Sequence, residues 1–288
     1  MSNNTEEQIT QNVLDSIANT PNPRLKQVMS SLISHLHAFI REVELTQEEW
    51  NLGIQFLTRT GQMCDEKRQE FILLSDVTGV SMLVDAINHR QPGGATESTV
   101  FGPFYREGAP ELPPGASISQ DKRGEPVVVS GRVLSTDGTP IAGALLDIWE
   151  TDENGLYEQQ DPDQPDMNLR GKFRTDQQGR YCFVGIKPVS YSIPADGPVG
   201  QLLRALARHS FRPAHIHLLI SAEGFVPVTT HLFVKGDPYL DSDAVFGTKD
   251  SLVVDFVRRD SPEEAARYHL TPPFYTVEYD FVLQPALL

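Results

Sequence analysis

Proline divides this chain. Only Pro21, Pro23 and Pro92 precede residue 100, while the other 18 of its 21 prolines follow it. Proline fixes φ and removes a backbone donor, so a stretch nearly free of it can form long helices, whereas a proline-punctuated stretch is held to short elements and turns. The first half bears out the helical side of that division. Leu25, Val28, Met29, Leu32, Ile33, Leu36, Phe39, Ile40 and Val43 recur at three- and four-residue spacing, which predicts one long amphipathic helix. Ile9, Val13 and Ile17 repeat the pattern before it. Thr46 and Glu49 have the spacing of a capping box, opening a helix that Leu52, Ile54, Phe56 and Leu57 carry to about Gly61. Helical patterning continues over residues 66–74 and 80–88, until Pro92, Gly93 and Gly94 break it.

From Pro126 the pattern becomes short β-branched and aromatic runs: 127–133, 144–149, 180–186, 215–221, 229–234, 251–258 and 275–283. Asp137-Gly138 and Asn154-Gly155 mark turns between them, and residues 200–209 read as one short helix. Closely spaced strands of this kind predict an antiparallel β-sandwich rather than βαβ units. The expected fold class is therefore α+β. Residues 1–98 form an all-α domain, 99–125 a linker and pocket wall, and 126–288 a β-sandwich catalytic domain. The N-terminal helices carry more apolar surface than one thin layer hides, which points to dimerisation through them.

Several function classes are excluded. A net charge of −15, from 24 basic and 39 acidic residues, opposes binding to nucleic acid or anionic membranes. No apolar run approaches the roughly 20 residues that a membrane span requires. The polar, acidic segment Met1–Glu7 lacks the features of a secretory signal, so cytoplasmic residence is expected. Cys64 and Cys182 are too few for a disulfide framework and are expected to be reduced packing residues.

The chemistry concentrates around His215-Ile216-His217. Side chains on a strand alternate with period two, so both imidazoles project from one face and can converge on one point. His35-Leu36-His37 has the same spacing on a helix, where a two-residue step turns about 200° and the rings diverge; that pair reads as surface or packing. A strand His-x-His can also be two hydrogen-bonded polar residues, so its surroundings matter. Arg212-Pro213-Ala214 leads into the pair, Tyr191 lies in the proline-flanked segment 188–194, and Tyr157 follows Gly155-Leu156.

In this order, and with the helical first half, these segments resemble the intradiol ring-cleaving dioxygenases, in the branch acting on catechol and hydroxyquinol. The resemblance covers most of the chain. It implies a ferric ion, one per subunit, held by Tyr157, Tyr191, His215 and His217. Phenolate oxygen is a hard anionic donor suited to Fe(III), and the ion's charge lowers the phenol pKa. The resemblance further implies that Tyr191 leaves the metal to accept a substrate proton while Arg212 stabilises negative charge developing on the ring. His231 stands where many catechol enzymes carry glutamine, a departure that favours the hydroxyquinol branch.

Residues 96–105 match a pocket wall in that branch, giving Val100, Phe101, Gly102, Pro103 and Phe104 as substrate-contacting residues. Leu73 and Asp76 match positions facing the ring, and Asp76 could accept a hydrogen bond from a third ring hydroxyl. Ile193, Pro194 and Val245, with Arg212 and His231, complete the expected substrate-binding pocket. The implied reaction opens benzene-1,2,4-triol with O2 to 3-hydroxy-cis,cis-muconate and its tautomer maleylacetate. Catechol or chlorocatechol is the alternative substrate. A reading from a different class is a metal-free β-sandwich binding module, in which the tyrosines and histidines pack or contact carbohydrate. The family also implies a homodimer through the N-terminal helices, sometimes with a phospholipid in the interface.

Overall fold

A computed structural model describes residues 5–66, 68–90 and 93–286. The expected helix breaker Pro92 and residues 1–4 of the polar N-terminus lie outside the described residues. The chain forms two compact units that divide between residues 59 and 60.

In the first unit, α1 (Glu6–Ser16) starts at Thr5, whose side chain accepts from the Gln8 amide, and α2 (Pro23–Glu42) starts at Asn22, with proline in its first turn. Helix α3 (Gln47–Gln62) opens with the expected capping box: the Thr46 amide donates to Glu49 Oε2 at 2.9 Å, and the Glu49 amide to Thr46 Oγ1 at 3.2 Å. Neither α1 nor α2 contains a fully buried residue. Leu25, Val28, Leu32, Leu36 and Phe39 are all exposed. His35 is exposed, while His37 is half-buried and bonds Thr10 on α1 at 3.0 Å, so this pair does not converge.

The second unit continues with α4 (Glu70–Val77) and α5 (Val80–Asn88), followed by β1 (Pro126–Ser135), β2 (Leu145–Trp149), β3 (Arg170–Arg174), β4 (Arg180–Ile186) and β5 (Tyr191–Ser192). Then come α6 (Pro198–Ala205), β6 (Phe211–Arg212), β7 (His215–Ser221), β8 (Val228–Val234), β9 (Val253–Val254) and β10 (Val257–Arg259). Helix α7 (Pro262–Ala266), β11 (Phe274–Glu278) and β12 (Phe281–Leu283) end it. One sheet runs β10-β11-β1-β12 with β4 also on β1, the other runs β3-β2-β7-β8-β9, and β5 pairs with β6. Alternate residues from both large sheets fill one core, including Val127, Val129, Leu146, Ile148, Phe183, Ile216, Leu218 and Leu232.

The sandwich is mixed rather than antiparallel. β1 pairs parallel with β11 and then with β12, and β8 pairs parallel with β9. The cause is the path of the chain: it returns to β1 only after the second sheet is built, and a strand that re-enters through a long connection is free to run parallel. Gly131 permits the switch of partner, since a Cβ there would sit 1.9 Å from the Tyr279 carbonyl oxygen. The expected run 251–258 is likewise interrupted, comprising a 3-10 turn at 250–252 and the short strands β9 and β10. Both cysteines are free and partly buried. Among the described residues no helix is long and apolar enough to cross a membrane.

Candidate metal centre

The sheet builds the site by register. Arg170, Trp149, His217 and His231 stand directly opposite one another across β3, β2, β7 and β8, so their side chains share the face turned away from the core. His215 lies two residues from His217 on the same face. Its Nδ1 donates to the Pro213 carbonyl at 2.7 Å, and because a carbonyl only accepts, Nε2 is left with its lone pair. That Nε2 lies 3.0 Å from Nε2 of His217 and 3.1 Å from a terminal nitrogen of Arg212. The Trp149 indole stacks on the His217 ring at 4.8 Å and 13°. His231 Nε2 holds the other nitrogen of His217 at 2.7 Å.

All three imidazoles are neutral. Burial, with the charge of Arg212 adding to it, depresses His215 to about 3. Burial and then His215 place His217 well below the ordinary range, and burial and then His217 do the same for His231.

Two tyrosines face this pair. Asp152 accepts from the amides of Asn154 and Leu156 at 2.9 Å, forming a turn that presents Tyr157. Gly155 is required in that turn: its φ is +78°, and a Cβ would lie 2.7 Å from Tyr191 Cβ. Tyr191 is placed by the β5–β6 ladder, where it stands opposite Arg212. The two hydroxyls are 3.3 Å apart, and the rings of Tyr157 and Tyr191 contact those of His217 and His215 at 6.2 and 5.5 Å. Phe104 stacks on Tyr157 at 4.6 Å. Burial, and next the Tyr191 hydroxyl, hold the Tyr157 phenol well above its ordinary pKa, so it ionises only beside a strong positive charge.

These residues fit a cation. Imidazole nitrogens of His215, His217 and His231 lie within 4.8 Å of one another, buried and uncharged, and mark a metal site. Within the cluster His231 Nε2 sits on Nδ1 of His217, the nitrogen opposite the one that approaches His215, and so fixes the orientation of that ring.

The expected substrate residues surround the same point. Leu73, Val100, Ile193 and Val245 are buried in one apolar cluster with Trp149, Tyr157 and Tyr191, and Phe104 packs against it. Leu73, Pro103, Phe104 and Pro194 also line a cavity of about 180 Å³, which they share with Arg68, Gln69, Glu70, Gln159 and Gln160 and whose lining includes neither the two tyrosines nor the histidines. Gly102, with φ +77°, lies against the edge of His217, where a Cβ would come within 3.3 Å of Cε1. Phe101 is exposed and leans on Tyr105 and Trp149. Asp76 is buried one helical turn beyond Leu73 on α4. Burial pushes its carboxyl up, opposed by the Ser81 hydroxyl and then by Arg212. A larger groove of about 720 Å³ beside residues 135–145 and 221–225 contains none of these groups.

Arg212 is 3% exposed and paired with Asp243 at 3.1 Å. Burial works against its charge, but the Asp243 carboxylate outweighs it and raises the guanidinium pKa. Asp243, Trp149 and the Arg170–Glu158 pair beside Tyr157 were not evident as site residues in the sequence. The alternation of β2 could have marked Trp149, since Ile148 points to the core and Trp149 away from it.

A buried cluster of neutral histidines on the outer face of a mixed sandwich defines a metal-binding protein of the sandwich class, and comparison with known proteins identifies the family. Residues 100–285 match the family described as Dioxygenase, and residues 22–96 the family described as Catechol dioxygenase N terminus. The chain belongs to the intradiol ring-cleavage dioxygenases. It is 52% identical to the hydroxyquinol 1,2-dioxygenase of Rhizobium sp. (strain MTP-10005), over 96% of this chain and 95% of that one. It is 50% identical to the 6-chlorohydroxyquinol 1,2-dioxygenase of Cupriavidus pinatubonensis, over 97% of each. The crystal structure of hydroxyquinol 1,2-dioxygenase from Pseudomonas putida DLL-E4 superposes with a TM-score of 0.91 at 52% identity, covering 98% of this chain and 99% of that one.

Proposed function

We propose that this enzyme opens benzene-1,2,4-triol between its two adjacent hydroxyls, incorporating both atoms of O2 to give 3-hydroxy-cis,cis-muconate and its tautomer maleylacetate. The observation that carries this reading is the buried carboxylate of Asp76, one turn beyond Leu73 and within electrostatic reach of Arg212. The Ser81 hydroxyl already donates to that carboxylate; a third ring hydroxyl, which catechol lacks, would give it a second donor. The names of the two hydroxyquinol-type relatives agree.

In this reading Tyr157, Tyr191, His215 and His217 hold a ferric ion. Two phenol oxygens and two neutral imidazoles supply the hard, anion-rich donor set that Fe(III) prefers over Fe(II). The bound ion would supply Lewis acidity that draws the protons from the paired hydroxyls and orients the ring. Tyr191, as the phenolate, would take one of those protons on its oxygen and become the neutral phenol. Leu73, Val100, Phe104, Ile193, Pro194 and Val245 exclude water and hold the ring, with Phe101, Gly102 and Pro103 completing the wall. Arg212 offers fixed positive charge to the ring as it becomes electron-rich. His231 acts through His217, whose orientation it sets.

The division of labour follows the sequence reading, with residues 1–98 for dimerisation, 99–125 as pocket wall and 126–288 for catalysis, in the cytoplasm, except that α4, which carries Leu73 and Asp76, belongs to the second compact unit and serves the pocket. The exposed apolar stripe of α2 supports a homodimer. A phospholipid between subunits is the family's precedent for covering such a surface. Sedimentation of the purified chain tests the dimer, and a monomer at working concentration overturns it. The function is tested by oxygen uptake of iron-loaded protein with the triol and catechol side by side, against an iron-free control for autoxidation. Preference for the triol is expected; preference for catechol removes the substrate assignment.

A further inference from the structure

We propose that Asp243 is the positioning residue of Arg212, fixing the guanidinium plane so that one terminal nitrogen alone faces the metal-binding histidines. This rests on the charge-stabilising role of Arg212 in the reading above. Asp243 is itself buried and receives four hydrogen bonds. Arg212 Nε donates to its Oδ1 at 3.1 Å and Nη2 to its Oδ2 at 3.2 Å, the parallel two-point grip that defines a plane. The amides of Val245 and Gly247 donate to the same two oxygens at 3.2 and 3.0 Å. The grip leaves Nη1 to point at His215 Nε2, 3.1 Å away.

The same carboxylate therefore ties the catalytic cation to the loop that contributes Val245 to the pocket. Gly247 makes room for the arrangement, since a Cβ there would come within 2.9 Å of Arg212 Nη2 and 3.1 Å of Asp243 Oδ2. An arginine on β6 needs a partner to remain charged in a site this dry, but charge balance alone requires only a nearby anion. The paired contacts add direction, and preorganised direction is what electrostatic stabilisation of a developing charge depends on.

The test is a double-substitution cycle on the iron-loaded, full-length enzyme, measured with whichever diol the wild type cleaves. Asp243→Asn keeps the shape and loses the charge-assisted grip; it is expected to lower kcat about 10²-fold with little change in KM. Arg212→Ala is expected to lose at least as much, and adding Asp243→Asn to it should cost nothing further. In full-length protein with ¹⁵N-labelled arginine, kept metal-free to avoid paramagnetic broadening, the Arg212 Nε–H should be protected from exchange in the wild type and lose that protection in Asp243→Asn. Arg212→Lys, which keeps charge but cannot be gripped at two points, should fall as far in kcat as Asp243→Asn and serves if the latter does not fold. Wild-type kcat in Arg212→Lys or Asp243→Asn, or an equal penalty for Asp243→Asn with and without Arg212, overturns the proposal. Failure of the wild type to consume oxygen with any diol would instead remove the function beneath it.

Discussion

At its start, over residues 215–218, the two faces of β7 are equally dry and chemically opposite; further on, the outer face becomes half-buried at Leu219 and Ser221. Ile216, Leu218 and Ile220 point into the sandwich and are fully buried, while His215 and His217 point the other way and are 2% exposed. The inner face is stabilised by removing apolar area from water, which asks only for volume and shape. The outer face holds polar rings in the same dryness and needs a partner for each: Pro213 and Arg212 for His215, His231 for His217, Asp243 for Arg212. Burial thus does not distinguish core from site in this protein. Partner geometry does, and the polar face is stable only as a complete set.

The comparison breaks most sharply where the outer face loses one of the proposed ligands. His217→Ala removes one of two converging nitrogens and strands His231. Activity is expected to fall to that of metal-free protein, with loss of the visible phenolate-to-iron absorption. Full colour and retained iron in this variant would show that His217 is not a ligand. Next in size is Asp76→Ala, expected to lower kcat/KM for the triol about 10²-fold, the scale of a lost hydrogen bond to a charged group, and to leave catechol turnover largely unchanged. Equal loss on both diols would make Asp76 a structural carboxylate.

What could be read from the sequence follows the same contrast. His215 and His217 were legible because strand alternation alone sends residues two apart to one face, and the α2 stripe because helical periodicity is equally local. Asp243 was not legible: it follows Arg212 by 31 residues and meets it only through the loop that returns to β6. The parallel β11 and β12 were hidden for a related reason, since alternation fixes which face a residue takes but not which strand lies beside it. The expected pocket residues, from Leu73 to Val245, rest on family resemblance, and no periodicity links them.

One residue crosses the division. Glu150 lies on the core side, its Oε1 accepting from the Ile186 amide at 2.9 Å while Oε2 has no hydrogen-bond partner among the described residues. Burial, opposed by that one amide, raises its carboxyl to about 8. The folded chain therefore keeps the proton while the unfolded chain releases it near its ordinary value of 4.5. The resulting penalty on folding is absent below about pH 4.5, grows as pH rises and levels off above about pH 8. Glu150→Gln removes the ionisation but buries an amide N–H₂ in place of Oε2. Its net stabilisation is expected at about 2 kcal/mol near pH 8, vanishing or reversing near pH 5. Denaturant melts at the two pH values decide this, and a gain independent of pH would mean that Glu150 does not hold a proton in the fold.

The smallest effect tests whether the two faces are independent. Ile216→Val deletes one methylene from the inner face between the two histidines in sequence, and is expected to cost about 1 kcal/mol of stability. Leu146, Ile148, Leu218 and Leu232 share its cluster, and none of the groups bonded to His215 or His217 does. The visible absorption and the preference between triol and catechol should therefore be those of the wild type. A shifted band would mean that the strand passes a change in core packing through its own backbone to the imidazoles, so that inner shape, as well as outer partners, sets the geometry at the metal.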